Sequence, residues 1–187
     1  MLAYVLWHWK TPRAEAAGYE ARQRAFHAAL AAEPPESFLG SFVVGLTGAA
    51  WAASGGEAYE DWYLIKDFAA LGHLNAGAVS AGRAAPHDAV AALAGGGSAG
   101  LYDLKAGEVV RRPQISCWFR KPEGVTYAGL AETLAPLVEG CHGALWMRQM
   151  TLGPAPEYCL HSAVPVTFPA GFSPLAIPLR PVWPEPA

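Results

Sequence analysis

Two histidines stand inside runs that otherwise read as apolar strands. His8 lies in Tyr4-Val5-Leu6-Trp7-His8-Trp9-Lys10, and His161 in Tyr158-Cys159-Leu160-His161. An imidazole titrates near neutrality, so either could act as a general base wherever it faces a cavity. Arg148 follows Leu145-Trp146-Met147, and a cation in such surroundings needs either a carboxylate or a cavity to point into. Glu60, Asp61 and Glu157 are the candidate carboxylates. Trp118, Arg120, Trp62 and Lys10 complete the candidate pocket set. Aromatic rings would supply buried contact to a ligand, and Arg148 or Arg120 would anchor an acidic or carbonyl group. The expected partner is therefore a small apolar or aromatic molecule with a polar anchor group. Blander roles compete with these: Lys10 and Arg120 as wet strand ends, Arg148 and His161 as outward-facing strand positions, Trp62 as plain core.

These residues sit on a pattern that occurs twice. Residues 4–12, Tyr-Val-Leu-Trp-His-Trp-Lys-Thr-Pro, are answered at 114–122 by Gln-Ile-Ser-Cys-Trp-Phe-Arg-Lys-Pro. A helical pattern then begins at Tyr19 in the first copy and at Tyr127 in the second. Side chains alternate faces along a strand, so Val5, Trp7 and Trp9 share one side and Leu6, His8 and Lys10 the other. The repeat places Ile115, Cys117 and Phe119 with the first set, and Ser116, Trp118 and Arg120 with the second. The first set is wholly apolar and is expected to face helices. The mixed second set is expected to line a cavity between two sheets.

Between residues 2 and 105 the pattern predicts strand, helix (19–32), strand (37–46), a small-residue loop (48–56) and strand (59–66). Asp67 then caps a helix over 68–80, a short helix has Pro86 in its first turn, the glycines at 95–97 end it, and a strand spans 100–105. The order β-α-β-β-α-β is that of a ferredoxin-like unit. The second copy offers a strand (115–120), a helix (127–141) and strands at 145–151 and 158–164, but no second helix. Seven of the sixteen prolines lie between Pro165 and Pro186, an extended arm expected to pack on a sheet edge or on a partner subunit. The expected fold is α+β: residues 1–110 form one ferredoxin-like repeat and 111–187 a truncated second, with their sheets face to face. A homodimer through the arm or an edge strand is a further expectation.

The chain resembles the dimeric α+β barrel superfamily, in which two ferredoxin-like units from two chains or a tandem repeat face each other. Its segment Trp62-Tyr63-Leu64-Ile65-Lys66-Asp67-Phe68-Ala69-Ala70-Leu71-Gly72-His73-Leu74 is similar to the strand-to-helix passage of antibiotic-biosynthesis-monooxygenase-type members. The resemblance implies a fold that hosts oxygenases, haem enzymes, isomerases and proteins without known activity. It also implies a functional His on this helix in related oxygenases. Helical geometry instead puts His73 opposite the Phe68, Leu71, Asn75, Ala78 and Val79 face. His73, with His27, His87 and His142, is expected at the surface.

Several chemistries are disfavoured. Gly95, Gly97 and Gly100, and the run Gly96-Gly97-Ser98-Ala99-Gly100, imitate phosphate-binding and nucleophile-elbow motifs, but the expected order is helix, glycines, strand, the reverse of what both require. Cys117, Cys141 and Cys159 form no close pair and read as structural cysteines, so no metal site is expected. A net charge of −3 with scattered bases gives no case for nucleic acid. No run is long and apolar enough to span a membrane, and the amino terminus does not read as a signal peptide. A cytoplasmic protein is expected. Four functions stay open: a small-molecule binder; a cofactor-independent monooxygenase, isomerase or decarboxylase with His8 or His161 as base; a haem protein with a histidine axial ligand; and a structural protein with a filled core.

Overall fold

A computed structural model describes residues 1–53 and 56–185; positions 54–55 of the expected loop, and Pro186, lie outside the described residues. The first repeat region contains β1 (Leu2–Lys10), α1 (Ala16–Ala32), β2 (Phe38–Leu46), β3 (Ala58–Ile65), α2 (Phe68–Gly77), α3 (Ala84–Ala91) and β4 (Ala94–Gly107). It is followed by β5 (Ile115–Phe119), α4 (Tyr127–Gly140), β6 (Ala144–Arg148), β7 (Tyr158–Ser162), β8 (Leu175–Pro178) and β9 (Arg180–Trp183). All the strands belong to one antiparallel sheet, in the order β8-β5-β7-β6-β4-β1-β3-β2-β9.

Local chemistry accounts for the helix starts. The Asp67 carboxylate accepts from the Ala70 amide at 3.0 Å, and the Thr126 hydroxyl accepts from the Gly129 amide at 3.0 Å, each satisfying an amide that helix geometry leaves without a partner. The glycines at 95–97 do not end a helix: they open β4, the long strand beside β1. A Cβ at Gly97 would lie 2.9 Å from the Trp7 carbonyl oxygen, and one at Gly95 2.9 Å from that of Lys10. Only glycine allows the two backbones to approach so closely.

The proline-rich arm supplies β8 and β9, which pair with opposite edges of the sheet. Leu175–Pro178 pairs with β5, Arg180–Trp183 with β2, and Leu179 alone separates them, its amide donating to the Gln114 carbonyl at 2.9 Å. One extended segment thus joins both edges, and the sheet curls around a common interior. Side chains from strands that are not sheet neighbours meet there. Trp62 of β3 lies 5.2 Å from Trp146 of β6, Trp7 of β1 5.9 Å from Trp118 of β5, and Phe42 of β2 5.7 Å from His161 of β7, between ring centroids. All four of these tryptophans are fully buried, each worth on the order of a few kcal/mol before entropy.

The expected parity is right for β5 and inverted for β1. Cys117 and Phe119 pack beneath α4 with Leu130, Leu134 and Val138, while Trp118 points inward. In β1, however, Val5 and Trp7 point inward, and His8 lies beneath α1 against Tyr19. A one-residue slip exchanges the two faces of a strand. Here nothing apolar flags the slip, since β1 is covered on both sides and alternation loses its meaning. Trp7 goes inward because Glu60 awaits its indole N–H there, at 2.9 Å.

Candidate functional site

The interior that the sheet curls around is packed with side chains, and the cavity lies on the other side of β1 and β3, beneath the helices. It encloses about 680 Å³, within the range of small-molecule sites. Leu6, Phe26, Leu71, Leu74 and Val90 form apolar walls, and Phe68 and Val79 stand at the rim, each more than half exposed. Tyr4, His8, Tyr19, Asp61 and Tyr63 bring the polar groups. β1 and β3 pair in a register that sets His8 against Tyr59 and Leu6 against Asp61. The floor residues therefore project from adjacent strands toward α1.

Asp61 is the hub of this floor. It accepts from His8 Nε2 at 2.9 Å, His27 Nε2 at 3.2 Å and the Tyr63 hydroxyl at 2.9 Å. Burial alone would raise its carboxyl, but the His8 and His27 imidazoles and their hydrogen bonds outweigh that and hold it well below the usual carboxylate range. A carboxylate has no proton to give, so both histidines carry hydrogen on Nε2. Their Nδ1 atoms then face hydroxyls, Tyr19 at 2.7 Å for His8 and Ser41 at 2.7 Å for His27. Burial, followed by the charge of Asp61, pushes the Tyr19, Tyr63 and Tyr4 phenols up, so they remain neutral hydrogen-bonding groups. An imidazole oriented by a carboxylate at the base of an apolar cavity is suited to accept or donate a proton.

Of the candidate site residues His8, His161, Trp118, Arg120, Arg148, Trp62 and Lys10, His8 alone lines this cavity, and Asp61, a candidate partner for Arg148, lines it too. Trp62, Trp118 and His161 come together in the packed interior instead, with Trp62 4.4 Å from His161 and 6.3 Å from Trp118. Burial lowers the His161 imidazole to about 3, and among the described residues neither ring nitrogen has a hydrogen-bond partner. Among the described residues Arg148 has no carboxylate partner: its Nη1 donates to the carbonyls of Gly153 at 2.9 Å and Ala155 at 2.6 Å. Arg120 is exposed and Lys10 half-buried, both outside the cavity lining.

His27 was expected at the surface and is completely buried. Tyr19, Gln23, Phe26, His27 and Leu30 form one buried stripe of α1, whose helical spacing was visible in the sequence. His73 and His142 are exposed, His73 lying 3.7 Å from Glu36, while His87 reaches the cavity lining. Among the described residues no group of three or more His, Cys, Asp or Glu could hold a metal ion, and no helix is long and apolar enough to cross a membrane.

No family model matches the chain, and no curated protein matches it by sequence. Solved structures do. An anthrone oxidase-like protein shares 8% identity, with 100% of this chain and 95% of that one covered and a TM-score of 0.50. A candidate monooxygenase from Lactobacillus acidophilus NCFM shares 12% identity, with 97% of this chain and 94% of that one covered and a TM-score of 0.53. The likeness is one of fold, the α+β arrangement spanning nearly the whole of each chain.

Proposed function

We propose that this chain is a small-molecule-binding protein whose ligand occupies the cavity beneath α1, α2 and α3. Its architecture is read as two ferredoxin-like halves in tandem. The strand orders β4-β1-β3-β2 and β8-β5-β7-β6 support this, since both run fourth, first, third, second within their own half. Among the described residues the second half has no helix before β8. The ligand is an apolar or aromatic molecule, its body against Leu6, Phe26, Leu71 and Leu74 and its polar group toward the Asp61–His8–Tyr19 floor. The observation that carries this reading is that paired carboxylate and imidazole, 2.9 Å apart, at the base of a largely apolar cavity.

Gly72 offers the test. It lines the cavity, and a Cβ placed on it meets nothing within 4 Å, so Gly72→Phe fills the space from a helix that tolerates the change. A panel of neutral aromatic compounds should raise the melting temperature of the parent, following the linkage of binding to stability. Gly72→Phe should remove that response. A parent that answers to no compound, or a variant that answers as the parent does, refutes the proposal.

A second reading is favoured by the same dyad, and by the oxidase and monooxygenase descriptions of the two proteins that share the fold. Here the site oxidises its ligand with dioxygen and no cofactor. An acidic C–H of a methylene between aromatic rings gives its proton to the floor, the carbanion's electrons pass to O2, and CH2 plus O2 become C=O plus water. Oxygen uptake by the purified protein without added cofactor, lost in His8→Ala, tests it.

A further inference from the structure

The cavity floor contains more hydrogen-bonding groups than His8, and they are not equivalent. Both ring nitrogens of His8 are engaged: Nε2 with Asp61 Oδ1 at 2.9 Å and Nδ1 with the Tyr19 hydroxyl at 2.7 Å. A ligand can hydrogen-bond to His8 only by displacing Asp61 or Tyr19. Asp61 is fixed by two further donors, His27 and Tyr63. Tyr19 is held in place as well. Its ring packs against the Tyr59 ring with centroids 5.4 Å apart, and against His8 at 5.6 Å.

Tyr19 nevertheless lines the cavity, with its hydroxyl 2.7 Å from His8 Nδ1. A phenol has one proton and two lone pairs, so with its proton given to His8 Nδ1 the Tyr19 oxygen can still accept from a ligand. We infer that Tyr19 is the residue that meets the ligand's polar atom, with His8 and Asp61 behind it as a positioning and proton-relay pair. This rests on the cavity being the ligand site. In one direction the ligand proton passes to Tyr19 Oη as the phenolic proton passes to His8 Nδ1, leaving an imidazolium against the Asp61 carboxylate. In the other, Tyr19 gives its proton to a ligand oxyanion and takes one from His8. No bond other than O–H and N–H changes in either transfer. The arrangement explains why the cavity needs a tyrosine in the first turns of α1: the hydroxyl carries the reach of a buried imidazole to the ligand.

The probe is 4-nitrophenol, whose absorbance reports its own ionisation. Its affinity and its bound titration midpoint are to be measured with the parent, Tyr19→Phe, His8→Ala and Gly72→Phe. Tyr19→Phe keeps the ring and its packing and removes only the hydroxyl. The expected result is at least tenfold weaker binding of the phenolate by Tyr19→Phe and a midpoint raised toward that of the free probe, with the variant's melting temperature near the parent's. If Tyr19→Phe binds as tightly or tighter, with an unchanged or lowered midpoint, His8 itself meets the ligand and the inference is wrong, while the cavity reading stands. If the parent fails to bind, or Gly72→Phe binds as the parent does, the cavity reading falls and this inference with it.

Discussion

Glu60 and Asp61 are neighbours in sequence that face opposite sides of β3. Glu60 points into the barrel interior, where the indole N–H groups of Trp7 and Trp62 donate to it at 2.9 and 3.1 Å. Asp61 points beneath α1 and takes two imidazoles and a phenol. Both are buried, yet their acidities separate. Burial raises the Glu60 carboxyl to about 7, only partly offset by the two indoles, whereas the paired histidines keep Asp61 ionised. The same strand presents a proton-holding carboxyl to one side and a permanent carboxylate to the other.

Opposed pH dependences follow for the interior pair. Between its ordinary 4.5 and about 7, Glu60 binds more proton in the native state than in the unfolded chain, so stability falls as pH rises through that window. Between about 3 and its ordinary 6.5, His161 binds less proton in the native state, so stability rises with pH. The two effects nearly cancel between pH 5 and 7. Glu60→Gln should leave a stability that climbs by roughly 2 kcal/mol over that range, and His161→Leu one that declines by roughly 2–3 kcal/mol. Urea melts at both pH values, referred to the parent, measure this; parallel curves would show that neither group titrates as its surroundings dictate.

Asp61→Asn should destabilise by about 3 kcal/mol or more, because an amide cannot accept from three donors and its own N–H2 confronts an imidazole N–H. Chemical denaturation measures the loss. A change below 1 kcal/mol would mean that His8 and His27 find other partners.

Leu179 and Ile177 belong to the interior cluster, and truncating either to Ala should cost about 2–4 kcal/mol. With β5 and β2 both paired by the arm, the parent should scatter light as a single chain at micromolar concentration. A dimer would show that another surface associates.

Two surface changes should do little to the ligand site. Arg120→Ala and Lys10→Ala lie outside the cavity lining and should leave ligand affinity within twofold. Gly72→Ala should stabilise the protein by about 0.5–1 kcal/mol, since glycine is the poorest non-proline helix former. A loss of affinity in the first pair would relocate the polar anchor.

Much of the architecture was legible because its signals are local. The Asp67 cap and Pro86 in the first turn of α3 mark boundaries through backbone chemistry. The inner and outer faces of β1 were not legible. Its alternate residues are buried whichever way it turns, and only the distant Glu60, Trp118 and Tyr102 decide that Trp7 goes inward. The same ambiguity hid the site. Asp61 reads as a partner for Arg148 until β3 is known to turn it toward α1, and His27 reads as surface until the stripe from Tyr19 to Leu30 is widened to include it. Arg148 was misjudged for a different reason: carbonyls at Gly153 and Ala155 can hold a guanidinium, and nothing in a sequence advertises a carbonyl.

The single-residue link at Leu179 also constrains how the molecule is made. During synthesis β2 leaves the ribosome long before β9 exists to pair with Val43 and Gly45, so that margin must wait with its backbone amides unclaimed. Such long-separated pairings form late and slowly. A nascent chain halted before Leu175 would present two unprotected margins and an open, tryptophan-lined trough, the kind of surface that chaperones hold and that stalled products aggregate through.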